Sequence, residues 1–268
     1  MKLAPLISAV LALVASACST DSFDSSAKGD SYESSVKQAD EARKAGNLDQ
    51  AIPLYSRALQ SNPSGIEAKL GLGQSYLSMG AGDEAAAQFR DVLARRSSDA
   101  VARRGLASAL ISMGQADLAA QQLEAALKSD PDDYRALNVM GVVLDIQGHH
   151  TEAQARYRRA IELAPDFAAV RNNLGLSLAI VGQAKEAIAQ LAPLASSSRA
   201  DGRVRQNLAF AYAMAGDYEN ALKYLEIADA LKPGNPGILY NKAVIYDRMG
   251  NGVQAAELYR RIVQMAAD

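Results

Sequence analysis

The side chains best suited to nucleophilic, acid–base or metal chemistry are scarce in this 268-residue chain: two histidines, His149 and His150, and one cysteine, Cys18. Catalysis of those kinds needs several such groups to converge on one substrate. The histidines are instead adjacent behind Gly148, where an exposed polar turn is expected rather than a pair of metal ligands. Gly71 and Gly73 form a G-x-G. It has no third glycine, no preceding strand and no Lys-Ser/Thr, so helix packing explains it better than a phosphate loop does. The formal charge is −2, or −3 once Lys2 is lost with a leader, which argues against a nucleic-acid backbone as partner. One local exception is Arg95, Arg96, Arg103 and Arg104. They are expected on a solvated face, with an acidic partner segment as the alternative. Neither catalysis nor a cofactor or metal is expected.

What the chain has in place of a reactive cluster is a period. Glycine recurs every 34 residues at Gly46, Gly80, Gly114, Gly148, Gly182, Gly216 and Gly250, and alanine follows five residues after each, from Ala51 to Ala255. A fixed period of this size signals stacked supersecondary units sharing one continuous core. If each unit is a pair of antiparallel helices, the glycine at position 15 makes the turn between them. Position 8 is only Ala or Gly, such as Ala39, Gly73, Gly141 and Gly175, and position 20 only Ala, so the two helices can cross closely. Position 24 is bulky and apolar throughout, for example Tyr55, Phe89, Leu123 and Tyr157, and fills the space between units. Pro63, Pro131, Pro165 and Pro233 at position 32 lack the N–H that a continuing helix needs.

This pattern of small, large and proline positions resembles the tetratricopeptide repeat (TPR) family over residues 32–268. The resemblance implies an all-α, right-handed superhelical solenoid of seven hairpins. Their expected bounds are 32–65, 66–99, 100–133, 134–167, 168–201, 202–235 and 236–268. It also implies a protein-binding scaffold, with no room in the unbroken register for a catalytic insertion.

Residues 1–17 read as an export leader, with Lys2, an apolar run from Leu3 to Val14 and the small-residue site Ala15-Ser16-Ala17. The run is shorter than the roughly 20 residues that span a bilayer. With Cys18, the stretch resembles a bacterial lipobox, although Ala15 replaces its usual leucine. Lipidation of Cys18 is therefore expected, with ordinary leader cleavage and a soluble periplasmic protein as the alternative. Ser19 after the cysteine implies the outer membrane. Residues 18–31 are Ser/Asp-rich and are expected to be a flexible tether of roughly 20 Å.

Positions 2, 5, 9, 12 and 13 of each first helix share one face, which in the TPR family lines the inner wall. In repeats four to seven that wall is apolar: Val142, Leu176, Phe210 and Val244 at position 9, Ile146, Ile180 and Met214 at position 13, and Tyr240 at position 5. Asn138, Asn173, Asn207 and Asn241 add amides that can pair with an extended peptide backbone. The alternative is that these residues only pack against neighbouring helices. A two-carboxylate clamp would need paired cations, and only Arg203 is present. Residues 172–195 and 203–221 resemble paired repeats of the TadD lipoprotein family of tight-adherence (Tad/Flp) pilus assembly, apart from Phe210 and Tyr212, where smaller aliphatics are usual. That resemblance implies help in assembling or localising an outer-membrane secretin. The alternatives are a type IV pilus pilotin, or an envelope adaptor that recruits a protease, a peptidoglycan enzyme or a polysaccharide-export component. The final repeat is expected to be uncapped, exposing Ile245, Ile262 or Val263 to a partner or a second copy.

Overall fold

The computed structural model describes residues 25–197 and 202–266. The leader, Cys18 and residues 19–24 of the expected tether lie outside the described residues. Fourteen helices pair in chain order among the described residues. Repeat one is α1 (Ser25–Lys44) with α2 (Leu48–Ser61), and repeat two is α3 (Ile66–Met79) with α4 (Gly82–Arg95). Repeats three and four are α5 (Ala100–Ser112) with α6 (Ala116–Ser129), and α7 (Tyr134–Ile146) with α8 (His150–Leu163). Repeat five is α9 (Ala168–Ile180) with α10 (Ala184–Ala195), and repeat six is α11 (Gly202–Met214) with α12 (Tyr218–Leu231). Repeat seven is α13 (Pro236–Arg248) with α14 (Gly252–Met265).

The turn glycines adopt φ between 71° and 80°, a conformation in which a Cβ would be strained. Each closes its helix with the same two bonds. In repeat one the Gly46 amide donates to the Arg43 carbonyl (3.0 Å) and the Asn47 amide to the Ala42 carbonyl (2.9 Å), which satisfies carbonyls that the helix end would orphan. Several first helices are capped at their start by a side chain. Asp133 Oδ1 accepts from the amides of Arg135 and Ala136, and Asn235 Oδ1 from those of Gly237 and Ile238.

The requirement for small residues follows from the side chain at position 24. A Cβ on Gly73 would lie 2.8 Å from the Phe89 ring, one on Gly141 2.4 Å from Tyr157, and one on Gly175 2.5 Å from Leu191. Phe89 and Leu191 are fully buried and Tyr157 nearly so, as are Ala85, Ala153 and Ala187 at position 20. Each second helix packs on the first helix of the following repeat. Successive first helices also touch one another from α1 through α11, whereas successive second helices do not pack in this way, so the first helices form the inner wall.

Two expectations are corrected. Helix α1 starts at Ser25, so residues 25–31 are helical rather than part of a flexible tether. Low hydrophobicity shows that a segment cannot bury itself, but extending a helix that is already nucleated requires no burial. Ile245 is buried, not exposed at the end of the array. Position 10 points back toward the preceding hairpin, where Ile245 joins Leu225 and Ala228.

Candidate functional site

The inner wall of repeats five to seven carries two adjoining clefts, and of the expected groove residues Asn138, Val142, Ile146 and Ile180 line neither. The first, of about 830 Å³, lies between α9, the end of α10 and the start of α11; Asn172, Asn173, Leu176, Arg203 and Asn207 are among its lining residues. The second, of about 510 Å³, opens between α11 and α13 and is lined by Phe210, Met214, Tyr240, Asn241, Val244 and Arg248 among others. Gln206 borders both. Ile146, Ile180, Phe210, Met214 and Tyr240 are 38–56% exposed, an unusual amount for large apolar side chains. They follow the helical register of positions 5, 9 and 13. Leu176, Val142 and Val244 are half-buried between them.

The asparagines are not independent. Asn207 Nδ2 donates to Asn172 Oδ1 at 3.0 Å, and Asn173 Nδ2 donates to Asn138 Oδ1 at 2.9 Å. A longer 3.5 Å contact from Asn172 Nδ2 to Asn173 Oδ1 links the two pairs. The position-6 amides of Asn173 and Asn207 each still have a donor and an acceptor to offer, but not all of their groups are free. Asn173 and Asn207 each spend one N–H on a neighbour, and the second N–H of an amide and its remaining lone pairs are what a ligand can meet. Asn241 stands outside this relay, exposed beside Tyr240. Sequence reading missed Asn172 although Asn138 stands 34 residues before it at the same repeat position, so the recurring asparagine was a signal that could have found it. Its neighbour on the next repeat gives it its role.

His150, expected in an exposed turn, is the first residue of α8, and its Nδ1 lies 2.8 Å from Asp145 Oδ1. The same carboxylate accepts from Ser177 Oγ (2.7 Å) and from the Tyr157 hydroxyl (3.0 Å), tying α7, α8 and α9 together. Ser177 is fully buried, and it and the histidine both bond to the aspartate, which makes this a structural junction rather than an activated nucleophile. Burial, with Asp145 alongside, pushes the Tyr157 hydroxyl strongly upward. Burial and the bond to Asp40 push Tyr55 up to about 12. His149 is exposed, as expected. The four arginines form no single patch: Arg104 is paired with Asp133, and Arg103 donates to the Ser97 carbonyl (2.6 Å) and to Gln122 (3.3 Å). Among the described residues no group of three or more His, Cys, Asp or Glu is placed to hold a metal, and no helix is long and apolar enough to cross a membrane.

Two family models, both described as tetratricopeptide repeat, together cover most of the chain, one at residues 36–100 and 140–201 and the other at 77–141 and 212–268. The chain belongs to the tetratricopeptide repeat family, whose members are protein-binding scaffolds. Among solved structures it is similar to a tetratricopeptide repeat protein from Parabacteroides merdae, at 18% identity and TM-score 0.65, covering 88% of this chain and 94% of that one. It is similar also to PilF of Pseudomonas aeruginosa, at 17% identity and TM-score 0.62, covering 84% and 98%. A third is MamA from Desulfovibrio magneticus, at 20% identity and TM-score 0.54, covering 63% and 95%. At these identities the likeness is one of fold. No curated protein matches the chain at significant similarity.

Proposed function

We propose that this chain is an envelope scaffold, held at the outer membrane through acyl chains on Cys18, whose inner groove in repeats four to seven grips an extended apolar segment of a secretin or another pilus-assembly component. The observation that carries the groove reading is the adjacency of two chemistries. Three amides of the relay, Asn172, Asn173 and Asn207, line the 830 Å³ cleft, and the exposed Phe210, Met214 and Tyr240 line the 510 Å³ cleft beside it. Amides can pair with a peptide backbone, and an aromatic side chain in a desolvated cleft is where binding energy concentrates. The pilus assignment is supported by the likeness of residues 172–195 and 203–221 to TadD repeats, and the anchor by the lipobox-like Val14–Cys18.

The test is capture from envelope extract with the full-length chain, identifying bound proteins by mass spectrometry. Phe210→Asp combined with Leu176→Asp is expected to remove the bound partner while helicity and thermal midpoint hold. Undiminished capture by the folded double mutant places the site off this groove. A partner outside secretin and pilus assembly overturns the assignment while leaving the groove standing. Cys18→Ala is expected to move the protein out of the membrane fraction. Retention after a high-salt wash rules out lipid anchoring at Cys18.

A further inference from the structure

Successive first helices touch along the inner wall from α1 through α11, and the series breaks between α11 and α13. The cleft of about 510 Å³ lies at that break, and it reaches the core: Leu225 and Ile245, 1% and 5% exposed, are among its lining residues. Position 12 accounts for part of the opening. In repeats two and three it holds Leu77 and Ile111, which pack onto the core between hairpins. In repeat six it is Ala213, which lines the cleft with a single methyl group. Phe210, Met214, Tyr218 and Tyr240 surround the space, and Tyr240 is braced edge-on by the Tyr259 ring, with centroids 6.0 Å apart.

Beside this apolar space stands one cation. Position 13 is Ile146, Ile180 and Met214 in repeats four to six and becomes Arg248 in repeat seven. Arg104, Arg158 and Arg159 pair with carboxylates of this chain. Arg248 lines the cleft, is exposed, and makes no ion pair among the described residues. The adjacent carboxylate, Asp247, instead accepts from the Tyr259 hydroxyl at 3.1 Å.

We propose that this cleft seats one aromatic side chain of the bound segment while Arg248 pairs with a carboxylate next to it, so that the chain selects a partner by an aromatic–acidic pair. The proposal rests on the reading of the inner groove as a peptide site. Phe210, Tyr218 and Tyr240 offer edge and offset contacts to an incoming ring, and the Met214 sulfur adds a further preference for an aromatic guest over an aliphatic one. An unpaired guanidinium at the rim favours a carboxylate over a neutral neighbour, through charge-assisted hydrogen bonds.

The probe is a random-peptide library displayed on phage, selected in parallel on the full chain and on its Arg248→Gln variant. Sequences enriched on the full chain are expected to place Phe, Trp or Tyr adjacent to Asp or Glu. Those enriched on R248Q are expected to keep the aromatic residue and lose the acidic one. In fluorescence anisotropy the leading peptide is expected to lose about fivefold in affinity when its acid is changed to the amide. It loses about thirtyfold or more when its aromatic residue is changed to Ala. R248Q erases the first difference and leaves the second. Ala213→Leu, which fills the cleft, is expected to abolish binding at an unchanged thermal midpoint; if A213L misfolds, the R248Q comparison at an exposed residue decides alone. Enrichment without an aromatic residue, an acidic preference that survives R248Q, binding that a folded A213L leaves unchanged, or no saturable binding overturns the proposal. A dimer in sedimentation equilibrium that R248Q dissolves assigns the cleft to a second copy and overturns it equally. Envelope capture fails or succeeds independently of these outcomes, so loss of the pilus assignment leaves the aromatic–acidic selection standing.

Discussion

The inner walls of repeats one to three and of repeats four to seven are built on the same hairpin and lined by different chemistry. At position 9 the first three repeats carry Asp40, Gln74 and Ser108, and the last four Val142, Leu176, Phe210 and Val244. At position 13 the contrast is Lys44, Ser78 and Ser112 against Ile146, Ile180 and Met214. The buried positions do not follow this division: positions 8 and 20 stay small from one end to the other. A solenoid separates stability, which repeats, from recognition, which need not.

Overpacking the shared core should therefore cost the same in both halves. Ala85→Leu and Ala187→Leu each insert bulk at a fully buried crossing and are expected to lose about 1–3 kcal/mol, measured by urea denaturation of the full chain. A loss confined to one half would mean that the hairpins are not equivalent after all.

The polar junctions sharpen the comparison. Asp145→Ala leaves the hydroxyls of Tyr157 and Ser177 buried without their acceptor and is expected to cost about 2–3 kcal/mol. Asp40→Ala in repeat one removes the partner of Tyr55 at a carboxylate 41% exposed, where water can substitute, and should cost less. Equal losses in the two would show that exposure at Asp40 does not matter.

Alkaline pH probes the same pair. Both tyrosines have folded-state pKa values above the ordinary 10. Their contribution is fully present below pH 10 and is lost as pH rises, for Tyr55 between 10 and about 12. Tyr157→Phe should flatten the decline in stability above pH 10 more than Tyr55→Phe does, because Tyr157 is raised further. The smallest effect is expected in the wall itself. Asn173→Ala removes the 2.9 Å bond to Asn138 and the weaker 3.5 Å contact from Asn172 and should cost about 0.5–1.5 kcal/mol in stability, while partner capture falls. Asn241→Ala, outside the relay, should leave stability unchanged.

The hairpins were legible from single residues because each turn glycine and each crossing alanine answers to a local steric demand that recurs every 34 residues. The apolar face at positions 9 and 13 of repeats four to seven was legible for a different reason, the four-residue spacing that puts both positions on one side of a helix. The pairing of Asn172 with Asn207 was not, because it joins residues 35 apart on different helices and no spacing rule marks it. His150 was misjudged because sequence shows a turn beginning but not that Asp145, one helical turn earlier, is aimed at it. Ile245 was misjudged because spacing alone does not show that position 10 points back into the preceding hairpin.

The amide relay gives the groove a polarity. Both donors that cross between repeats point toward the N-terminal repeats, from Asn207 to Asn172 and from Asn173 to Asn138, and the longer contact from Asn172 to Asn173 joins them within repeat five. Turning over any one amide would set two donors or two acceptors against each other, so the four share a single orientation. A peptide strand is itself directional, with amides and carbonyls in fixed sequence along it. On the proposed reading of the groove as a peptide site, inter-repeat amide bonds that both run one way would distinguish a segment threaded forward from the same segment threaded in reverse, so that the sense of a partner's chain would count as well as its side chains.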